Sequence, residues 1–211
     1  MNICWNIDVK RLKSVLPKET ILVYDASHIM GLILGKAFES PLDLGVDIVI
    51  GSMHKTYPGV HKGIIATNRR IINDLLEHNG VLYISHDHIS DIIALGLTVE
   101  EFEKKGIQYA RQTVLNAKYL SACLKNRGFS VSEFNNKFTD THQIWIKCES
   151  EAVAIKYLYS LMKKKIYANV IRVPFSDKYG IRLGIQEITL LGYGEKELSD
   201  LSKTFEMLKI K

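Results

Sequence analysis

The chain is short of the features that mark several large protein classes. None of its 211 residues sits in an apolar run approaching the roughly 20 needed to span a bilayer. That excludes a membrane helix as the reading of its sequence. The opening stretch MNICWNIDVKRLK spaces its apolar residues out, so it is not expected to act as a signal peptide. Cysteine is scarce: Cys4, Cys123 and Cys148 lie far apart, odd in number and without a C-x-x-C pair. This excludes a disulfide framework and a cysteine zinc site, and makes the reducing cytoplasm the expected location. Internal repeats and low-complexity segments are absent as well.

What is present is the composition of an ordinary globular protein, 46% hydrophobic and 24% charged. The net charge of +5 raises the question of nucleic acid. The cations are scattered, however, and the densest run, Lys163-Lys164-Lys165, falls at the end of an amphipathic helical pattern, where it suits the helix dipole. A nucleic-acid footprint clusters on one face. Neither a nucleic acid nor a membrane is therefore expected as partner, and an anionic small-molecule cofactor suits the charge better.

The pattern along the chain predicts α/β structure followed by a smaller α+β unit. A short helix over Asp8–Leu16 leads to the apolar run Ile21–Tyr24, which ends in Asp25. Two further short runs, Val46–Gly51 and Gly63–Thr67, complete a set that reads as buried strands. Helices are expected over Ser85–Leu95 and again from Thr98, whose acids in the first turn mark a start, to Asn126, where Gly128 stops it. Beyond it, strands over Phe129–Phe134, Gln143–Cys148, Ile166–Val173 and Gly180–Gly184 alternate with helices over Glu151–Lys164 and Glu195–Leu208. The expected division is a partial large domain over 1–97, a connecting helix over 98–127 and a small domain over 128–211.

Three polar clusters stand at strand ends, where α/β sheets present their ligands. V-Y-D-A-S-H carries Asp25 and His28. G-S-M-H-K-T-Y-P-G carries Ser52, His54, Lys55 and Thr56. Y-G-I-R-L-G carries Arg182. Taken singly, each has a plain structural explanation: a helix-capping carboxylate, a solvated lysine, an ion-paired arginine. Together they are the minimum set for pyridoxal-phosphate (PLP) chemistry on amino acids. A lysine amine forms an imine with the cofactor aldehyde. An acid keeps the pyridine nitrogen protonated so that the ring accepts electrons. A guanidinium fork pairs with the substrate carboxylate. His86 and His88, two residues apart, are too few for a metal site, and no metal is expected.

At this point the chain resembles the serine hydroxymethyltransferase family. The resemblance rests on six segments in order: D-A-S-H-I-M-G-L-I-L-G, D-I-V-I-G-S-M-H-K-T, G-V-H-K-G-I-I, Y-A-R-Q-T-V-L-N-A-K-Y-L, T-D-T-H-Q and G-I-R-L-G-I-Q-E-I-T. It implies a PLP-dependent transferase of fold type I, with the C-terminal part of the large domain followed by the small α+β domain. It implies Lys55 as the Schiff-base lysine, Asp25 as partner of the pyridine nitrogen and His28 beside the cofactor's phenolic oxygen. His54 falls beside the lysine, where reaction type is steered. Ser52 stands where the family usually has threonine, and Arg182 matches the arginine for the substrate carboxylate. The implied activity is glycine–serine interconversion, with a tetrahydrofolate-type carrier and a homodimeric assembly. Other readings stay open: a threonine aldolase, an aminotransferase, or an inactive remnant serving as an assembly subunit.

The sequence also departs from the family. Members carry a long portion before V-Y-D-A-S-H that supplies the phosphate cradle and the folate and substrate groups, and residues 1–20 offer no replacement. A fragment or truncated homologue is expected, which a complementing N-terminal segment would restore. After Lys55 the usual Pro-Arg-Gly-Gly reads Val60-His61-Lys62-Gly63, which puts cationic bulk near the lysine and weakens the case for folate. After Arg182, Ile185-Gln186-Glu187 replaces the commoner Thr-Pro-Ala.

Overall fold

A computed structural model describes residues 4–209. They divide into two compact units: residues 7–111, and residues 112 onward joined by the segment 4–6.

The first unit begins with helix α1 (Val9–Val15), capped by the Asp8 carboxylate, which accepts from the Arg11 amide at 2.9 Å. Strand β1 (Val23–Asp25) lies parallel to β2 (Ile48–Ser52), with Asp25 opposite Ile50. The crossover contains the five-residue helix α2 (Met30–Leu34). Strand β3 (Gly63–Ala66) returns antiparallel on the other side of β2, pairing Gly63 with Ser52, so the sheet order is β1-β2-β3.

Asp47, at the entry to β2, ties this unit's periphery together. Its carboxylate accepts from the Leu22 amide at 2.8 Å, Lys13 Nζ at 2.7 Å and Arg69 at 3.0 Å, and its carbonyl accepts from the Thr67 hydroxyl at 2.6 Å. The Leu22 amide first, then the Lys13 ammonium, holds the Asp47 carboxyl down to about 2. A buried carboxylate paid for by three donors is stable only as the anion.

The expected buried strands are only half buried. Val49 of the central strand is covered, whereas Val23 of β1 and Ile65 of β3 are 50% and 57% exposed. Apolar β-branched runs signal a buried sheet, but coverage depends on what else packs on it. Two other expectations change. The segment after β3, left unassigned, is helix α3 (Arg70–Tyr83), and the two predicted middle helices are one, α4 (Ile89–Asn126). Thr98 does not start a helix: its hydroxyl donates to the Leu95 carbonyl at 2.8 Å, as an interior threonine does.

The second unit is a four-stranded antiparallel sheet in the order β4-β5-β7-β6, formed by β4 (Ser130–Val131), β5 (Gln143–Lys147), β6 (Asn169–Arg172) and β7 (Tyr179–Gly184). Helices α5 (Glu151–Met162) and α7 (Glu195–Met207) accompany it, with the short α6 (Gln186–Leu190) directly after β7. Its core joins Leu120 and Leu124 of α4, Ile144 and Ile146 of β5, Leu161 of α5, Ile181 of β7 and Leu198 and Phe205 of α7, all almost fully buried. The strand predicted over Phe129–Phe134 shrinks to two residues because Asn135 and Asn136 take positive φ and turn the chain back.

The segment 4–6 belongs to this unit. Trp5 meets Trp145 edge to face at 5.4 Å and donates from Nε1 to the Lys137 carbonyl at 3.1 Å. The Cys4 carbonyl accepts from the Asp140 amide and the Thr139 hydroxyl. Burial pushes the Cys4 thiol pKa far up, so this cysteine is an inert packing group.

Candidate active site

The site grows from the parallel pair β1–β2. Parallel neighbours end side by side, so Asp25 and Ser52 leave the sheet at the same edge. Behind Asp25 the chain turns tightly: the Ala26 amide donates to the Ile50 carbonyl and the Ile29 amide to the Ala26 carbonyl, which puts His28 in the turn. Behind Ser52 lies a closed loop over 53–62. Its neck is the Met53 amide on the Lys62 carbonyl at 2.9 Å, and the Gly59 amide folds back onto the Met53 carbonyl at 2.9 Å. Lys55, half buried, sits on this loop next to His54. Asp25, His28, Ser52, His54 and Lys55 thus gather at one end of one sheet.

Three groups that the sequence reading did not single out as site residues anchor this loop. Thr56 is fully buried; its hydroxyl accepts from the Gly31 amide at 3.0 Å and its carbonyl from the Tyr109 hydroxyl at 2.7 Å. Gly31 is obligatory there, since a Cβ on it would stand 2.3 Å from the Thr56 carbonyl. Tyr57, also buried, packs on Phe102 at 4.6 Å between ring centres. Gly31 and Tyr109 both lie in segments that carry the resemblance, and that was their only signal.

Electrostatically, the Asp25 carboxyl is held below its ordinary value, first by the Ser27 side chain, with the Ser27 amide at 2.9 Å adding to it. It is an anion at neutral pH, as a partner for a protonated pyridine nitrogen must be. His54 goes the other way: burial first, then the nearby charges of His61 and Lys55, disfavours its imidazolium, against a backbone hydrogen bond with Lys62. Its Nδ1 is buried with no hydrogen-bond partner. An amine, an anionic carboxylate and imidazoles at one strand edge are the donors that the ring and aldehyde of PLP require. Those residues fit that end of the cofactor.

Arg182 belongs to the second unit. It lies on β7 opposite Trp145 of β5 and Asn169 of β6, and donates to Asn169 Oδ1 at 2.8 Å. Burial lowers its pKa from the usual value, the normal penalty for taking a guanidinium partly out of water. Among the described residues, no group of three or more His, Cys, Asp or Glu is arranged to hold a metal, and no helix is long and apolar enough to cross a membrane.

The family model for serine hydroxymethyltransferase matches residues 2–205. The chain belongs to the serine hydroxymethyltransferase family. Within that family it is similar to proteins with two kinds of name. An L-threonine:uridine-5'-aldehyde transaldolase of a Streptomyces species is 37% identical over 88% of this chain and 46% of its own length. The serine hydroxymethyltransferase of Methanopyrus kandleri is 35% identical over 86% of the chain and 44% of its own length. The crystal structure of L-threonine transaldolase from Pseudomonas fluorescens superposes with a TM-score of 0.89 at 34% identity, over 96% of this chain and 47% of that one. The chain therefore spans about half the length of the curated relatives it matches, and its fold is the C-terminal part of a type I PLP-enzyme fold.

Proposed function

We propose that this chain is the lysine-bearing half of a PLP enzyme acting at the Cα–Cβ bond of a small β-hydroxy amino acid, with glycine–serine interconversion as the activity. The observation that carries this is the gathering of Asp25, His28, Ser52, His54 and Lys55 at the paired ends of β1 and β2, on a loop anchored by Thr56. When bound, PLP supplies an electron sink for the carbanion left by bond cleavage. Lys55 would hold the cofactor through its amine. Asp25 keeps the ring nitrogen's proton in place. His28 orients the ring through its phenolic oxygen, Ser52 lines the strand end, and His54 exchanges protons beside the lysine. Arg182 receives the substrate carboxylate.

A second reading, threonine cleavage or transaldol transfer without folate, draws support from relatives named as L-threonine transaldolases and from His61 and Lys62 in the loop. A tetrahydrofolate-type carrier belongs to the first reading only. The phosphate cradle and carbon-acceptor groups would come from a complementing N-terminal segment, within a cytoplasmic homodimer. Uncovered apolar side chains in the first unit, such as Leu82 (74% exposed) and Ile93 (62%), favour such a covering.

The test is spectroscopic. PLP added to the purified chain, alone and with a co-expressed N-terminal half from a relative, should give a visible imine band that Lys55→Ala abolishes. Equal bands from both proteins would reject Lys55. Assays with serine, and with threonine plus an aldehyde, each with and without folate, then separate the two reactions.

A further inference from the structure

The loop that carries Lys55 holds a second imidazole for which the proposed chemistry has no use. His61 lies flat against His54, with ring centres 4.3 Å apart and planes inclined by 26°. The contact follows from the loop's closure, because pairing Ser52 with Gly63 and bonding Met53 to Lys62 brings residue 61 back over residue 54. The two rings differ in setting: His61 is exposed, while His54 is half buried with Nδ1 unpartnered.

We propose that His61 is a positioning residue for Lys55: stacked on His54, it fixes the orientation of that imidazole beside the lysine. The inference rests on the reading of Lys55 as the cofactor lysine. Like charges this close repel, more strongly beside a protein surface than in open water. The charges acting on His54 are Lys55 on its own loop and His61 across it. Lys62 meets the ring through its backbone, and its ammonium donates to the Asp87 carbonyl at 2.6 Å. Burial, followed by these charges, disfavours the His54 imidazolium. The placement of that ring then governs imine formation at Lys55.

The histidine titration uses the full 211-residue chain, and the imine readout uses that chain with the co-expressed N-terminal half of a relative. Histidine NMR titration comes first. In His61→Phe, which keeps the stack and removes the charge, the His54 midpoint should rise; in His61→Arg, which makes the charge permanent, it should stay low. Unchanged His54 midpoints in both variants would overturn the coupling. The second readout is the rate at which added PLP forms the visible imine, followed against pH. The acid limb of that profile should move up with the His54 midpoint in His61→Phe. His61→Ala, which loses the stack, should slow the reaction about tenfold, in the range of a modest misplacement, and His61→Phe should recover most of it. An alanine variant as fast as wild type, with an unmoved profile, would overturn the positioning role. If no imine forms in any protein, the cofactor-lysine reading fails, while the titration still decides the histidine pair.

Discussion

The two units of this chain solve the burial problem differently. The second closes on itself. Its antiparallel sheet presents Ile144, Ile146, Ile181 and Leu183 to α4, α5 and α7, and the segment 4–6 covers Trp145. The first does not close. Its three strands leave Val23 and Ile65 open, and the stretch from Val81 to Leu97 exposes Val81, Leu82, Tyr83, Ile84, Ile89, Ile92, Ile93 and Leu97. An antiparallel sheet needs helices on one face only, whereas a parallel pair calls for cover on both. The contrast teaches that Lys55 and Asp25, the residues proposed to meet the cofactor, stand on the less self-sufficient unit. Local ties, namely the Asp47 cluster and the Thr56 anchor, reinforce a core that includes Met30, Leu32, Val49, Met53 and Tyr57.

This contrast can be broken by mutation. The largest effect is expected in the second unit, where Leu198→Ala removes a fully buried side chain and should cost about 2–5 kcal/mol by chemical denaturation. Ile65→Ala in the first unit should stay within about 0.5 kcal/mol. Equal losses would erase the distinction.

Next comes Asp47→Ala, which strands the Leu22 amide, Lys13 and Arg69 together and should cost the first unit about 1–3 kcal/mol. The sign of its pH dependence follows from a folded pKa lowered from 3.8 to about 2. A depressed carboxylate contributes stability that is complete above its unfolded value and is lost as pH falls through the folded one. Acid unfolding monitored between about pH 4 and 2 should therefore weaken the first unit in the wild type, and that slope should flatten in Asp47→Asn.

A smaller and more local effect is expected from Gly31→Ala. The added methyl meets the Thr56 backbone, so about 1–3 kcal/mol of overpacking falls on the Lys55 loop. Slower imine formation with added PLP, out of proportion to lost stability, would confirm Thr56 as the loop's anchor. The smallest effect on stability is expected from Leu82→Ser, within about 0.5 kcal/mol. Sedimentation should nevertheless show less self-association, because an exposed apolar side chain is removed. An unchanged sedimentation profile would mean that this patch does not drive association.

Much of the candidate site was legible because strand-end chemistry leaves a local trace. An acid closing one apolar run and a lysine just past another are visible without coordinates, and β1 and β2 do end at Asp25 and Ser52. The anchor was less legible. Thr56, Gly31 and Tyr109 come from three separate segments, and nothing local to any one of them names the other two. The single helix α4 was misread as two because Thr98 followed by acids imitates a start, while its hydroxyl found a carbonyl one turn back.

The amino-acid order alone determined the family, the α/β-then-α+β succession, and the residue types available for an imine, a ring proton and a carboxylate. All of these are written along the chain: short apolar runs, caps, polar residues at strand ends and six ordered motifs. Only the tertiary structure decided that His61 lies on His54, that Asp47 gathers two cations and an amide, and that the first sheet stays partly open. Those are contacts between distant segments, set by register and loop closure, and a linear pattern carries no record of what finally packs against it.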